Sequence, residues 1–306
     1  FYKIEKILKG QNWTSDTRSP LTDVGVKVKE GDYIIAVNGK SAKDINNIYE
    51  ALINTAGKQV TLTVNSSPSE SGSHETVILP TNDEHQLYYY NWVQNNIDKV
   101  NKASNGKVGY IHIPDMGPEG LNEFVKYYYP QLSKEALIID VRGNGGGNVS
   151  PQIIERLRRE AAMMTISRNT TPKFEPGGMH VGPKVALIDE FSASDGDIFS
   201  FRFKHYKLGK TIGKRTWGGV VGIRGTLPLL DGGYLNRPEF SRYDIDTDNW
   251  AIEGTGVEPD IYVDNDPALE YAGTDQQLDR AIQQALDELK EHPVKKEPVP
   301  PYPDKH

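Results

Sequence analysis

Between an apolar run at residues 137–141 and a helix-forming segment beginning near Ser150, the chain reads Arg142-Gly143-Asn144-Gly145-Gly146-Gly147-Asn148-Val149. Glycines at the end of a buried strand permit backbone conformations closed to other residues. They also let several N–H groups point into one cleft. That is the geometry of an oxyanion hole or of a phosphate cradle. No Gly-Lys-Ser/Thr follows, so the run is not a Walker A loop. Asn148 breaks the Gly-x-Gly-x-x-Gly spacing of a dinucleotide site. On the glycines alone, a plain left-handed turn stays open as a reading.

Around this run, strands and helices alternate. Residues 108–113, 137–141 and 185–188 read as buried strands, and helices fall near 119–129, 150–160 and 195–206. This order predicts an α/β sheet with crossover helices over residues 86–290, entered through a helix with an aromatic start at 86–104. The tail, 291–306, is rich in Pro and Lys and reads as disordered or strapped to the surface.

Residues 1–85 read as a separate small domain. A strand at 33–37 meets Asn38-Gly39, a strong hairpin signal because both positions tolerate positive φ. Ile45, Ile48, Leu52 and Ile53 recur at helical spacing, predicting a helix over 44–54. A strand of alternating polarity follows at 60–64, then a polar hairpin tip at 66–74. The order small-residue loop, Glu30-Gly31-Asp32, strand, Asn-Gly, helix, Gly57, strand resembles a PDZ domain of the circularly permuted type attached to bacterial proteases. PDZ domains capture an extended peptide by strand addition; a spacer or lid role is the alternative.

Two further segments can carry chemistry. In Glu190-Phe191-Ser192-Ala193-Ser194-Asp195-Gly196-Asp197, a serine follows a strand and opens a helix, where free N–H groups and the helix dipole favour an anion. Ser194-x-x-Asp197 also reads as a capping box, which needs no catalytic role. In Ile252-Glu253-Gly254-Thr255-Gly256-Val257-Glu258-Pro259-Asp260, Glu253 is a lone carboxylate that a solvated loop would equally explain.

Together, the order and spacing of Asp140 to Ser150, Ser194 to Phe203, Gly213-Lys214-Arg215-Thr216-Trp217-Gly218-Gly219-Val220-Val221-Gly222 and the Val257-Glu258-Pro259-Asp260 turn resemble the tricorn-type serine peptidases, within the C-terminal processing peptidase superfamily. The resemblance covers nearly the whole chain. It implies a ClpP/crotonase-like α/β catalytic domain after the PDZ. It also implies Ser194 as nucleophile, the Gly147 and Asp195 amides as oxyanion hole, and Glu253 as the carboxylate of the charge relay. In the processing peptidases a lysine activates the serine; its place here is taken by Gly219. The tricorn branch uses a histidine supplied by a small domain before the PDZ. Because the chain opens at Phe1 inside a strand-like segment, a fragment or processed product is expected, with that histidine outside it.

Of the seven histidines, His112 at the end of a sheet strand is the best-placed substitute, although a structural role suits it better. The resemblance also places Thr165, in an apolar surrounding, where tricorn carries an acidic S1 residue contributed across a subunit interface. A hydrophobic or mixed P1 pocket is therefore expected. It further implies peptide substrates, a homo-oligomer (a hexamer in the family) and a cytoplasmic setting, with the cell envelope or periplasm kept open.

Composition narrows the classes. Lys and Arg number 35 against 42 Asp and Glu, giving a net charge of −7, which argues against a nucleic-acid grip. The chain has no cysteine, which excludes disulfides, thiolate catalysis and Cys-ligated zinc. No apolar run approaches the ~18 residues of a membrane helix. No metal or cofactor is expected. The competing readings are a non-catalytic peptide-binding PDZ/pseudoprotease module and crotonase-like acyl-CoA chemistry, the latter disfavoured by the PDZ and the Ser194-Asp195-Gly196 junction.

Overall fold

The computed structural model describes residues 1–294 and 298–301 and divides into two compact units, Phe1–Asn96 and Ile97–His306. Of the tail expected over 291–306, residues 295–297 and 302–306 lie outside the described residues.

The first unit is an antiparallel sheet of β1 (Tyr2–Lys3), β2 (Tyr33–Val37), β3 (Lys40–Ser41), β4 (Val60–Asn65) and β5 (His74–Ile78), in the order β1-β2-β4-β5 with β3 on β2. Asn38 and Gly39 hold φ of 48° and 80° and close the hairpin, pairing Val37 with Lys40. Val37, Ile45, Val60, Leu62, Val64 and Ile78 form its core. The helix expected over 44–54 is replaced by two 3₁₀ turns, Ala42–Asp44 and Ile48–Leu52. Asn47 is the reason. Its backbone is extended (φ −138°, ψ 123°) and its side chain accepts the Tyr49 amide, a local bond that competes with the helical ladder. Ile45 is buried all the same and Ile48 and Leu52 pack against that core, while Ile53 is exposed.

Helix α1 (His85–Ala103) runs into the second unit, a five-stranded parallel sheet. Its strands are β6 (Val108–His112), β7 (Ala136–Asp140), β10 (Lys184–Ile188), β11 (Gly209–Gly213) and β14 (Ile261–Tyr262), in the order β14-β11-β10-β7-β6. Two hairpins, β8 (Met163–Thr165) with β9 (Lys173–Glu175) and β12 (Gly222–Pro228) with β13 (Tyr234–Phe240), stand outside it.

Successive residues of a strand face opposite ways, and here both faces are covered. Ile111 and Ile139 pack with Phe124 of α2 (Pro118–Tyr128), Ile153 of α3 (Ser150–Leu157) and Phe199 and Phe203 of α4 (Asp195–His205). Tyr110, Ile138, Val185 and Leu187 pack with Val100 of α1. On the same face lie Leu278, Ala281, Ile282 and Ala285 of α6 (Gln276–Glu291), which follows the short helix α5 (Pro267–Tyr271). Burial on two faces explains why these strands read as unbroken apolar runs.

Candidate active site

The site forms where parallel strands end side by side, since the loops leaving the carboxyl ends of β7, β10 and β11 emerge at one edge. Ser194, in the loop after β10, is the N-cap residue of α4 with φ 54° and ψ −116°. The Gly196 amide donates to the Ala193 carbonyl at 2.8 Å, closing a tight turn over it. A non-glycine residue held there stores about 1–3 kcal/mol of strain. The Ser194 side chain makes no capping bond, so its hydroxyl is not consumed in the way the capping-box reading requires.

The acids of the first helical turn are otherwise engaged. Asp195 is buried; its carboxylate accepts the Ser150 amide at 2.8 Å and the Ser150 hydroxyl at 2.6 Å. Asp197, also buried, accepts the Gly218 amide at 2.8 Å. Burial pushes the Asp197 carboxyl above its ordinary range.

The glycine loop after β7 is set against this turn by Asn144. The Asn144 amide group donates to the Ile113 carbonyl at 2.9 Å and its Oδ1 accepts the Gly146 amide at 3.0 Å. Its backbone carbonyl accepts the Ala193 amide at 2.8 Å. The Met116 amide then donates to Gly146 O, and the Asn148 amide to Met116 O. This alternation passes over Gly147. Among the described residues, neither the Gly147 nor the Asp195 amide has a protein acceptor. A β-carbon added at Gly146 would lie 2.6 Å from Ser194 Cβ and 3.0 Å from Asp195 N, which fixes how closely the two loops approach.

On the opposite flank, the loop after β11 is tied to the same turn: the Trp217 amide donates to Ser192 O at 3.1 Å. Glu253 meets this loop. Its Oε2 accepts the Val220 and Val221 amides at 2.7 and 2.9 Å, and the Gly254 amide donates to Gly218 O at 2.7 Å. Gly219 lies under the Trp217 ring, whose carbon Cζ3 would fall 2.2 Å from an added Cβ.

Two further candidates from the sequence are His112 and Thr165. His112 is buried in β6 with its Nε2 at 3.1 Å from the Arg142 carbonyl. Burial lowers its pKa, against the opposing pull of Asp140. Thr165 is exposed on the β8–β9 hairpin, paired with Lys173.

One buried cluster was missed from sequence. The Arg142 guanidinium forks onto Asp140 (2.6 Å) and Asp275 (2.9 Å) and reaches Gln277 at 3.0 Å. Burial alone would lower the Arg142 pKa; the two carboxylates reverse that and raise it well above its ordinary value. Asp275 also caps α6 through the Leu278 amide, so the cluster anchors the β7 loop to a helix. Outside these loops, His205, Asp244 and Asp246, and separately Glu288, Glu291 and His292, bring donor atoms within 4.8 Å of one another. No helix among the described residues is long and apolar enough to cross a membrane.

A PDZ-like antiparallel unit followed in the chain by a parallel α/β domain of this kind is the architecture of a PDZ-bearing serine hydrolase. Residues 107–263 match the model of peptidase family S41, and residues 1–83 match that of the tricorn protease PDZ domain. The chain belongs to peptidase family S41 and carries the domain order of the C-terminal region of tricorn proteases.

It is 41% identical over 288 residues to the tricorn protease homolog of Saccharolobus solfataricus, covering 94% of this chain and 26% of that protein. It is 38% identical over 301 residues to tricorn protease homolog 1 of Streptomyces coelicolor, covering 98% of this chain and 28% of that one. The crystal structure of the tricorn protease superposes with a TM-score of 0.86 at 37% identity, over 94% of this chain and 28% of that one. The chain thus spans little more than a quarter of the length of these relatives.

Proposed function

We propose that this chain is the nucleophile-bearing part of a tricorn-like serine endopeptidase that hydrolyses peptides through an acyl-enzyme. The observation that carries the reading is the strained, uncapped Ser194 at the start of α4, flanked by the acceptor-free amides of Gly147 and Asp195. Attack by the Ser194 oxygen on a peptide carbonyl would place the new oxyanion before those two amides, where preorganised donors count most. Glu253, held by two backbone amides, would orient a histidine that accepts the Ser194 proton and returns it to the leaving amine. That histidine comes from sequence outside these 306 residues, since Gly219 rules out a lysine at the processing-peptidase position. Peptide capture by the PDZ-like unit and assembly into a homo-oligomer belong to the same proposal.

Labelling the full-length protein with a fluorophosphonate, followed by peptide mapping, tests it. The adduct is expected on Ser194 and absent from Ser194→Ala. Failure of the active-length protein to label would favour a peptide-holding module without catalysis.

A further inference from the structure

Trp217 is a large apolar side chain left 62% exposed in a loop that is otherwise pinned. Its amide is bound by Ser192 O and the following amide, of Gly218, by Asp197 Oδ1. These acceptors stand on either side of Ser194 in the chain. A few residues on, the same loop gives its Val220 and Val221 amides to Glu253. The indole lies across Gly219, with ring carbon Cζ3 2.2 Å from where a Cβ would sit. The backbone of the loop is therefore held between the Ser194 turn and Glu253, and the indole lies over Gly219 with most of its surface in water. An aromatic surface so placed is suited to covering a ligand.

Sheet order says which part of a substrate it would cover. Ser194 follows β10; the glycine loop with its free Gly147 amide follows β7 on one flank, and the Trp217 loop follows β11 on the other. In acyl transfer the leaving amine departs toward the base, which stands between the nucleophile and its orienting carboxylate. With Glu253 on the β11 flank, the leaving segment of the peptide passes over Trp217.

We infer that Trp217 is the apolar platform for the residue immediately after the scissile bond, and that the enzyme favours peptides carrying a leucine-like or aromatic residue there. The inference rests on the serine-peptidase reading of Ser194.

Two internally quenched peptides, identical except for Leu or Gly after the cleaved bond, test it on the full-length protein. Wild type should favour the Leu peptide in kcat/KM. Trp217→Ala should lower that preference roughly tenfold or more, mainly through the Leu peptide, and Trp217→Phe should restore most of it. Equal losses on both peptides, or an unchanged preference, would overturn the role of Trp217 alone. Hydrolysis that survives Ser194→Ala in the same assay would overturn the serine reading, and this inference with it.

Discussion

Gly146 stands so close to Ser194 that a β-carbon on it would sit 2.6 Å from the serine Cβ. Its φ of 100° is closed to L side chains as well. Gly146→Ala should therefore both strain the loop and push the Ser194 turn away from Gly147. The expected cost is roughly 2–4 kcal/mol in urea denaturation of this chain, from left-handed backbone and overpacking together, with fluorophosphonate labelling of the full-length protein lost. A neutral substitution would mean that the two loops are not held in contact.

Arg142 neutralises a carboxylate, Asp140, that has no exposed surface. Arg142→Met keeps the volume and removes the charge, stranding Asp140 and freeing Asp275. Breaking a buried pair on one side costs about 3–5 kcal/mol. Chemical denaturation should register a loss of that order, and Asp275→Asn a smaller one because Asp140 keeps its partner.

His180 gives a pH signature. Burial, then the charge of Lys184, lowers its pKa from 6.5 to about 4. Between those values the unfolded chain binds a proton that the folded one refuses, so stability falls as pH drops from about 6.5 toward 4. The full effect is about 3 kcal/mol. His180→Leu should flatten this limb of the stability–pH curve; an unchanged slope would place the linkage elsewhere.

Much of this was legible because local rules and the global fold agree. Asn38-Gly39 announced a positive-φ hairpin and the structure has one. The apolar runs at 108–113, 137–141 and 185–188 mark strands buried on both faces. The junction before Asp195 marks the start of α4. What stayed hidden depends on long-range partners. Helix α6 is the exception, since its cap Asp275 and the helical spacing of Leu278, Ala281, Ile282, Ala285 and Leu289 are local signals. The Arg142–Asp275 pair joins residues 133 positions apart, which no local pattern reveals. The turns at 42–52 depended on Asn47, whose side chain outweighed an apolar spacing that suited a helix.

Specificity offers another check. Thr165 lies on an exposed hairpin, and the family resemblance has a neighbouring subunit supply the residue at that position. If it occupies the S1 position, the full-length protein should cleave after apolar residues at least as well as after Arg or Lys. A peptide library with a strong basic preference would assign that pocket to an acidic residue elsewhere.

Under the proposed mechanism, Ser194 needs a base from outside these 306 residues. A serine hydroxyl is a weak nucleophile until an adjacent base takes its proton, and an oxyanion hole alone leaves only ~10³-fold over water. The direct measurement is fluorogenic peptide turnover by this chain, alone and with the upstream segment of its parent added in trans. Near silence is expected of the chain alone, and activity with the added segment that Ser194→Ala abolishes. Robust turnover by the chain alone, lost in His112→Ala, would contradict it.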